Sequence, residues 1–155
     1  MNGVKQAMLA ISLVAAITGA AAERRVETTI KLTVPKQVTA EAAARAAGDA
    51  SASAPILMLE GLEVRQGEGM TIEVLGPPAG KSKMRPILAV SGLVGSGPVA
   101  ANAPMETMTL VVPLNDRASR LLARTNEITL TLHVRNARGR APLKVKRAYL
   151  AMPRK

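Results

Sequence analysis

The chain has 155 residues, 48% of them hydrophobic, and a formal net charge of +10, a length that suits one domain with processed or extended ends. With no cysteine it can form no disulfide, thiolate metal site or cysteine nucleophile, and with His133 as its one histidine it cannot assemble a multi-histidine copper or zinc centre. Phe and Trp are absent and Tyr149 stands alone, so a base-stacking platform for nucleic acid has almost nothing to be built from, and the core falls to Val, Leu, Ile, Ala and Met.

The first segment reads as a leader. Lys5 lies in a short polar start, an apolar run follows from Ala7 to Ile17, and Gly19-Ala20-Ala21-Ala22 precedes Glu23-Arg24-Arg25. This is the layout of a secretory signal peptide over residues 1–22, with Ala20 and Ala22 at the small-residue cleavage positions. The apolar run is shorter than the roughly 20 residues a spanning helix needs. A periplasmic or secreted basic protein with no transmembrane segment after processing is expected.

Beyond it, Val26, Thr28, Ile30, Leu32 and Val34 alternate with Glu27, Thr29, Lys31 and Thr33, a period of two that predicts a half-buried strand within residues 23–35. Residues 36–55 are alanine-rich, with Thr39 as a possible helix N-cap and Gly48 as a stop. Thr39 to Pro55 holds almost no large apolar side chain, so a mobile linker or marginal helix is expected there.

The main domain is expected over residues 56–150. A strand from Ile56 to Val64, interrupted by Gly61, and one from Met70 to Leu75 predict a hairpin across Gln66-Gly67-Glu68-Gly69. Gly76 to Arg85 reads as an exposed loop carrying Lys81, Lys83 and Arg85. Further strands are predicted from Ile87 to Val94, Met105 to Val112, Glu127 to Val134 and Leu143 to Leu150. Asn115-Asp116 can cap a short helix through Ala123. Short strands with one brief helix and no βαβ rhythm predict an all-β fold, an antiparallel β-sandwich or barrel. Residues 151–155 form a basic tail.

Few residues carry a chemical signature. Gly92, Gly95 and Gly97 match no phosphate-binding pattern. Glu60, Glu63 and Glu73 fall on predicted strands, where alternating acids are ordinary surface residues. His133 lies opposite the apolar set Leu130, Leu132 and Val134, facing solvent or a neighbouring strand. Met105 and Met108 form Met-x-x-Met, a thioether pair that an exported copper carrier could use, yet positions three apart on a strand point to opposite faces. Methionine is also needed to fill a core without phenylalanine. No cofactor is expected.

Basic charge gathers late in the chain. Arg135, Arg138, Arg140, Lys144, Lys146, Arg147, Arg154 and Lys155 occur with no acid among them, which suits either a solvated edge or a polyanionic partner such as anionic lipid or an acidic protein. Export argues against nucleic acid. If sheet geometry gathers them at one end, the loops 76–85 and 135–140 would join Lys81, Lys83, Arg85, Arg135, Arg138 and Arg140 into one guanidinium-rich contact surface.

Taken as one piece, residues 56–150 resemble the C-terminal β-sandwich domain of tyrosinases and polyphenol oxidases. Leu57-Met58-Leu59-Glu60-Gly61-Leu62-Glu63-Val64 is similar to that domain's opening strand, Thr71-Ile72-Glu73-Val74 to its next, and Leu88-Ala89-Val90-Ser91-Gly92-Leu93-Val94 to a strand bearing a late glycine. The strand, short helix and strand through Leu114, Leu121, Leu122 and Ile128 to Val134, then Leu143 to Leu150, complete the order. In that family the copper domain supplies six histidines, and the C-terminal domain shields or matures it. The resemblance implies a non-catalytic accessory protein acting in trans on a type-3 copper oxidase; no blocking residue is identifiable, since Phe is absent and Tyr149 lies in the last strand.

Overall fold

A computed structural model describes residues 11–14, 26–136 and 143–154. Ala20, Ala22, Arg138 and Arg140 lie outside the described residues. Among the described residues eight strands and two helices run β1 (Ile11–Val14), β2 (Val26–Thr33), α1 (Lys36–Ala46), β3 (Ile56–Arg65), β4 (Met70–Leu75), β5 (Ile87–Leu93), β6 (Met105–Pro113), α2 (Asp116–Leu122), β7 (Glu127–Asn136) and β8 (Arg147–Ala151). One sheet has the order β1-β2-β7-β4-β5 and the other β6-β3-β8, with every pairing antiparallel. The fold is an all-β sandwich.

The core follows from side-chain alternation. Ile30 and Leu32 from β2, Ile72 and Val74 from β4, and Ile128, Leu130 and Leu132 from β7 form one inner face. Leu57, Leu59, Leu62, Val112, Ala148 and Leu150 form the facing one. In β3 the buried set changes parity, from Leu57 and Leu59 to Leu62 and Val64. The pairing with β6 shifts register between Leu59 and Leu62, the signature of one extra residue in β3 that keeps both apolar pairs inward. Gly61 supplies that bulge at φ +65, and a Cβ placed there would lie 2.5 Å from Lys146 Cβ.

Three expectations change. Residues Met70–Leu75 do not return along β3 as a hairpin; β3 and β4 belong to different sheets, and Gln66 to Gly69 is the crossover between them. The apolar alternation fixes which face of a strand is inward but not which neighbour it takes. The last strand, Arg147–Ala151, starts later than the expected Leu143 and pairs with β3. Ahead of it Glu63 N–H donates to the Lys144 carbonyl and Lys146 N–H to the Glu60 carbonyl, so the chain already runs along β3 beside the bulge.

The third change concerns residues 23–55, which belong to the sandwich rather than standing before it. β2 pairs with β7 along eight consecutive residues. Helix α1 starts at Lys36, three residues before Thr39, with Pro35 as N-cap and no side-chain cap. It docks through Val38 and Ala42, an i, i+4 pair whose larger member lies upstream of the alanine run. Its end is closed by Gly48 N–H to the Arg45 carbonyl and Asp49 N–H to the Ala44 carbonyl, the double bond of a Schellman turn. Arg45 Nε then reaches Asp116 Oδ1 at 2.7 Å and Arg45 Nη1 the Ala52 carbonyl at 3.1 Å, tying α1 to α2.

Candidate binding surface

The two basic loops leave opposite ends of the five-stranded sheet. Met70 stands beside Asn136 and Leu75 beside Thr131, so Leu75 and Asn136 are separated by the length of β4, about 17 Å at the usual strand rise. Of the six cations expected on one surface, Arg135 therefore lies at the other end of β4 from the loop that carries Lys81, Lys83 and Arg85, and Arg138 and Arg140 lie outside the described residues. Arg135 is a strand residue rather than a loop residue, and its Nη2 lies 3.7 Å from Glu73 Oε2.

At the other end, α2 supplies what the loop 76–85 lacks. Asn115 fixes the helix three ways: its side-chain oxygen accepts from Ala118 N–H, its Nδ2 donates to the Ile87 carbonyl at 2.9 Å, and its own N–H donates to the Leu88 carbonyl at 2.9 Å. Ala118 and Leu122 are buried beneath. On the opposite side of the helix Arg117, Arg120 and Arg124 project at i, i+3 and i+7, all exposed. Arg124 extends the helical turn through its N–H to the Leu121 carbonyl.

Loop 76–86 forms the facing wall. Gly76 N–H donates to the Pro86 carbonyl at 2.9 Å and closes the base. A Cβ on Gly76 would press to 3.1–3.3 Å against Pro86, Leu88 and Leu121, so a bare backbone lets loop and helix approach. Arg85 Nη1 donates to Thr131 Oγ1 at 2.6 Å, which makes Arg85 a brace between loop and β7, whereas Lys81 and Lys83 are exposed. Between loop and helix lies an open cleft of about 830 Å³ lined by Pro77, Pro86, Arg117, Arg120, Leu121 and Arg124, with Ile128 and Thr129 of β7. Among the described residues no carboxylate pairs with Arg117, Arg120 or Arg124. Asp116 is held by Arg45, and Glu127, the one carboxylate that lines the cleft, is held by Lys31 Nζ at 2.9 Å. An apolar floor beneath three unpaired guanidinium groups can seat a side chain or backbone segment that carries carboxylates.

The other candidates are dispersed. His133 Nε2 lies 2.8 Å from Glu27 Oε1 and Nδ1 3.7 Å from Glu73 Oε2, a cross-strand ladder over β2, β7 and β4. The imidazole is bracketed by two acids, and no hydroxyl nucleophile bonds to it among the described residues. Met105 is exposed on β6 while Met108 packs on the core, so they cannot converge on one ion. Glu60 and Glu63 engage the end of the chain: Tyr149 OH donates to Glu60 Oε1 at 2.6 Å, Arg147 Nη1 lies 3.9 Å from Glu60 Oε2 and Lys144 Nζ 3.8 Å from Glu63 Oε2. The arginines of α2 were missed in the sequence, although i, i+3, i+7 spacing across a predicted helix is the signal that finds them.

No family model and no curated protein matches the chain.

Proposed function

We propose that the protein is a non-catalytic, exported binding module that holds a carboxylate-bearing segment of a protein partner in the cleft between loop 76–86 and α2. The observation that carries this reading is the row Arg117, Arg120 and Arg124, three exposed guanidinium groups on one face with no acidic partner among the described residues. Lys81 and Lys83 are exposed on the same loop, and Arg85 acts by bracing it. Planar forks favour carboxylates held in two hydrogen bonds. The resemblance of residues 56–150 makes a type-3 copper oxidase the first partner to try, and the leader-like start supports export.

The probe is a fluorescently labelled ten-residue polyglutamate peptide followed by anisotropy at low salt. Replacing Arg117, Arg120 and Arg124 together by alanine is expected to weaken binding more than about tenfold, since charge-assisted hydrogen bonds at each site contribute a kcal/mol or more. Replacing Lys144, Lys146 and Arg147 should change it less than about twofold, as cations with weakly held surface partners do. Equal losses from the two triple variants overturn the reading. Affinity should fall steeply as salt is raised.

A further inference from the structure

β2 is an inner strand only because β1 lies outside it, pairing Ile11 with Ile30 through Val14 with Glu27. From Lys31 to Thr33 its outer edge meets no described strand. β1 falls within residues 1–22, which the export reading removes, and this inference rests on that reading. Without β1, β2 becomes the border of the sheet. Its main-chain N–H and C=O groups on that side then lose their partners, which makes the border a template for another strand.

Of the devices that blunt such an edge the strand has charged side chains, Glu27 and Lys31, but no break, bulge, proline or glycine. Its register with β7 runs unbroken from Val26 to Thr33. At the far border β5 follows Pro86, contains Gly92 and pairs with β4 through a register shift at Val74/Leu75, as a protected edge does.

Charge selects the occupant. On the outer face β2 presents Glu27, Thr29 and Lys31, the two charged side chains being 42% and 59% exposed. Two copies of β2 laid antiparallel about a two-fold axis at Thr29 place Glu27 of one copy against Lys31 of the other, twice. The inner residues Thr28 and Ile30 then also face each other, so both cores stay on the same side of one continuous sheet. Each new pair extends a contact already present: Glu27 leans on His133 and Lys31 on Glu127. We infer that the processed chain forms a symmetric dimer through its β2 edges, and that residues 11–14 keep that edge closed until the leader is removed.

The full gene is expressed with its leader in an exporting bacterial host, and the same chain is made in the cytoplasm, where residues 1–22 are retained. Intact mass establishes processing; sedimentation and light scattering at micromolar concentration give the assembly. The processed chain is expected to have twice the protomer mass and the unprocessed chain the protomer mass. Lys31→Glu should raise the dimer dissociation constant about tenfold by opposing like charges at two places, while Glu27→Lys combined with Lys31→Glu should restore association. An exported chain that keeps residues 1–22 overturns both the cleavage of the leader and this proposal. A processed chain that is monomeric, or a dimer indifferent to Lys31→Glu, overturns the proposal alone. Thermal melts of each variant separate loss of association from loss of folding.

Discussion

Two basic regions of this molecule differ in a way their sequences conceal. The stretch from Lys144 to Arg154 is dense in cations and free of acids, yet β3 lies beside it and supplies Glu60 and Glu63 to Arg147 and Lys144, while the Arg147 guanidinium stacks 4.7 Å above the Tyr149 ring. The stretch from Asp116 to Arg124 looks milder, an acid with three arginines spaced among apolar residues. Its one acid is taken by Arg45 from α1, so the arginines are left with the cleft. Charge density along a chain is therefore a poor guide to charge on a surface; antiparallel pairing decides which cations meet acids.

The comparison breaks most completely if the platform under α2 is removed. Leu122 is 1% exposed and sits in the core shared by both sheets. Leu122→Ala is expected to cost about 2–5 kcal/mol of stability, the range for a buried leucine truncated to leave a cavity. Chemical denaturation should show it, and polyglutamate binding should fall with the displaced helix while the Glu60–Tyr149 contact, on the other sheet, persists.

A smaller intervention loosens α2 without opening the core. Asn115→Ala removes the N-cap oxygen and the side-chain bond to the Ile87 carbonyl. A loss of about 1–2 kcal/mol is expected, a cap together with one exposed hydrogen bond. Because that bond also fixes the start of β5 against the helix, polyglutamate affinity should drop while the secondary structure seen by circular dichroism is kept. Unchanged affinity with the expected loss of stability would mean that the arginines need no fixed helix to act.

How far the sequence reveals these regions depends on the kind of information each one needs. Strand positions and the helix at Asn115 were legible because alternation and capping are local, and Met70–Leu75 was located to the residue. Sheet membership was not, since β3 and β4 have the same apolar pattern whether they pair or face each other across the core. The β3 bulge was half legible: Gly61 marked an interruption, and the change of parity from Leu59 to Leu62 marked its size. For the candidate surface, the exposure of Lys81 and Lys83 was legible from their Gly- and Pro-rich loop, but the placement of Arg135 at the far end depends on the β4–β7 register, which no local signal carries. The unpaired state of the α2 arginines depends in turn on Arg45, 71 positions from Asp116.

The smallest effect sharpens the paired region directly, because Tyr149 is the only aromatic residue and its ionisation can be followed by ultraviolet absorbance without interference. Its hydroxyl donates to Glu60 Oε1, a bond that the phenolate cannot make. Burial and the Glu60 charge also disfavour ionisation, and together they raise the pKa above the usual 10.0 in spite of the opposing charges of Arg147 and Arg154. In the unfolded chain the phenol ionises at its ordinary value, so this contact contributes stability that is fully present below pH 10.0 and is lost as pH rises through the higher folded value. The native titration midpoint should therefore lie above that of the protein in denaturant. Glu60→Gln should bring it back down, since the amide removes the negative charge while its oxygen can still accept from the hydroxyl. Arg147→Ala should move it further up, because a neighbouring cation is lost. A midpoint that is the same in native wild type, Glu60→Gln and denatured protein would dissolve the Glu60 contact, and with it the claim that the cationic end of the chain is organised by acids from β3.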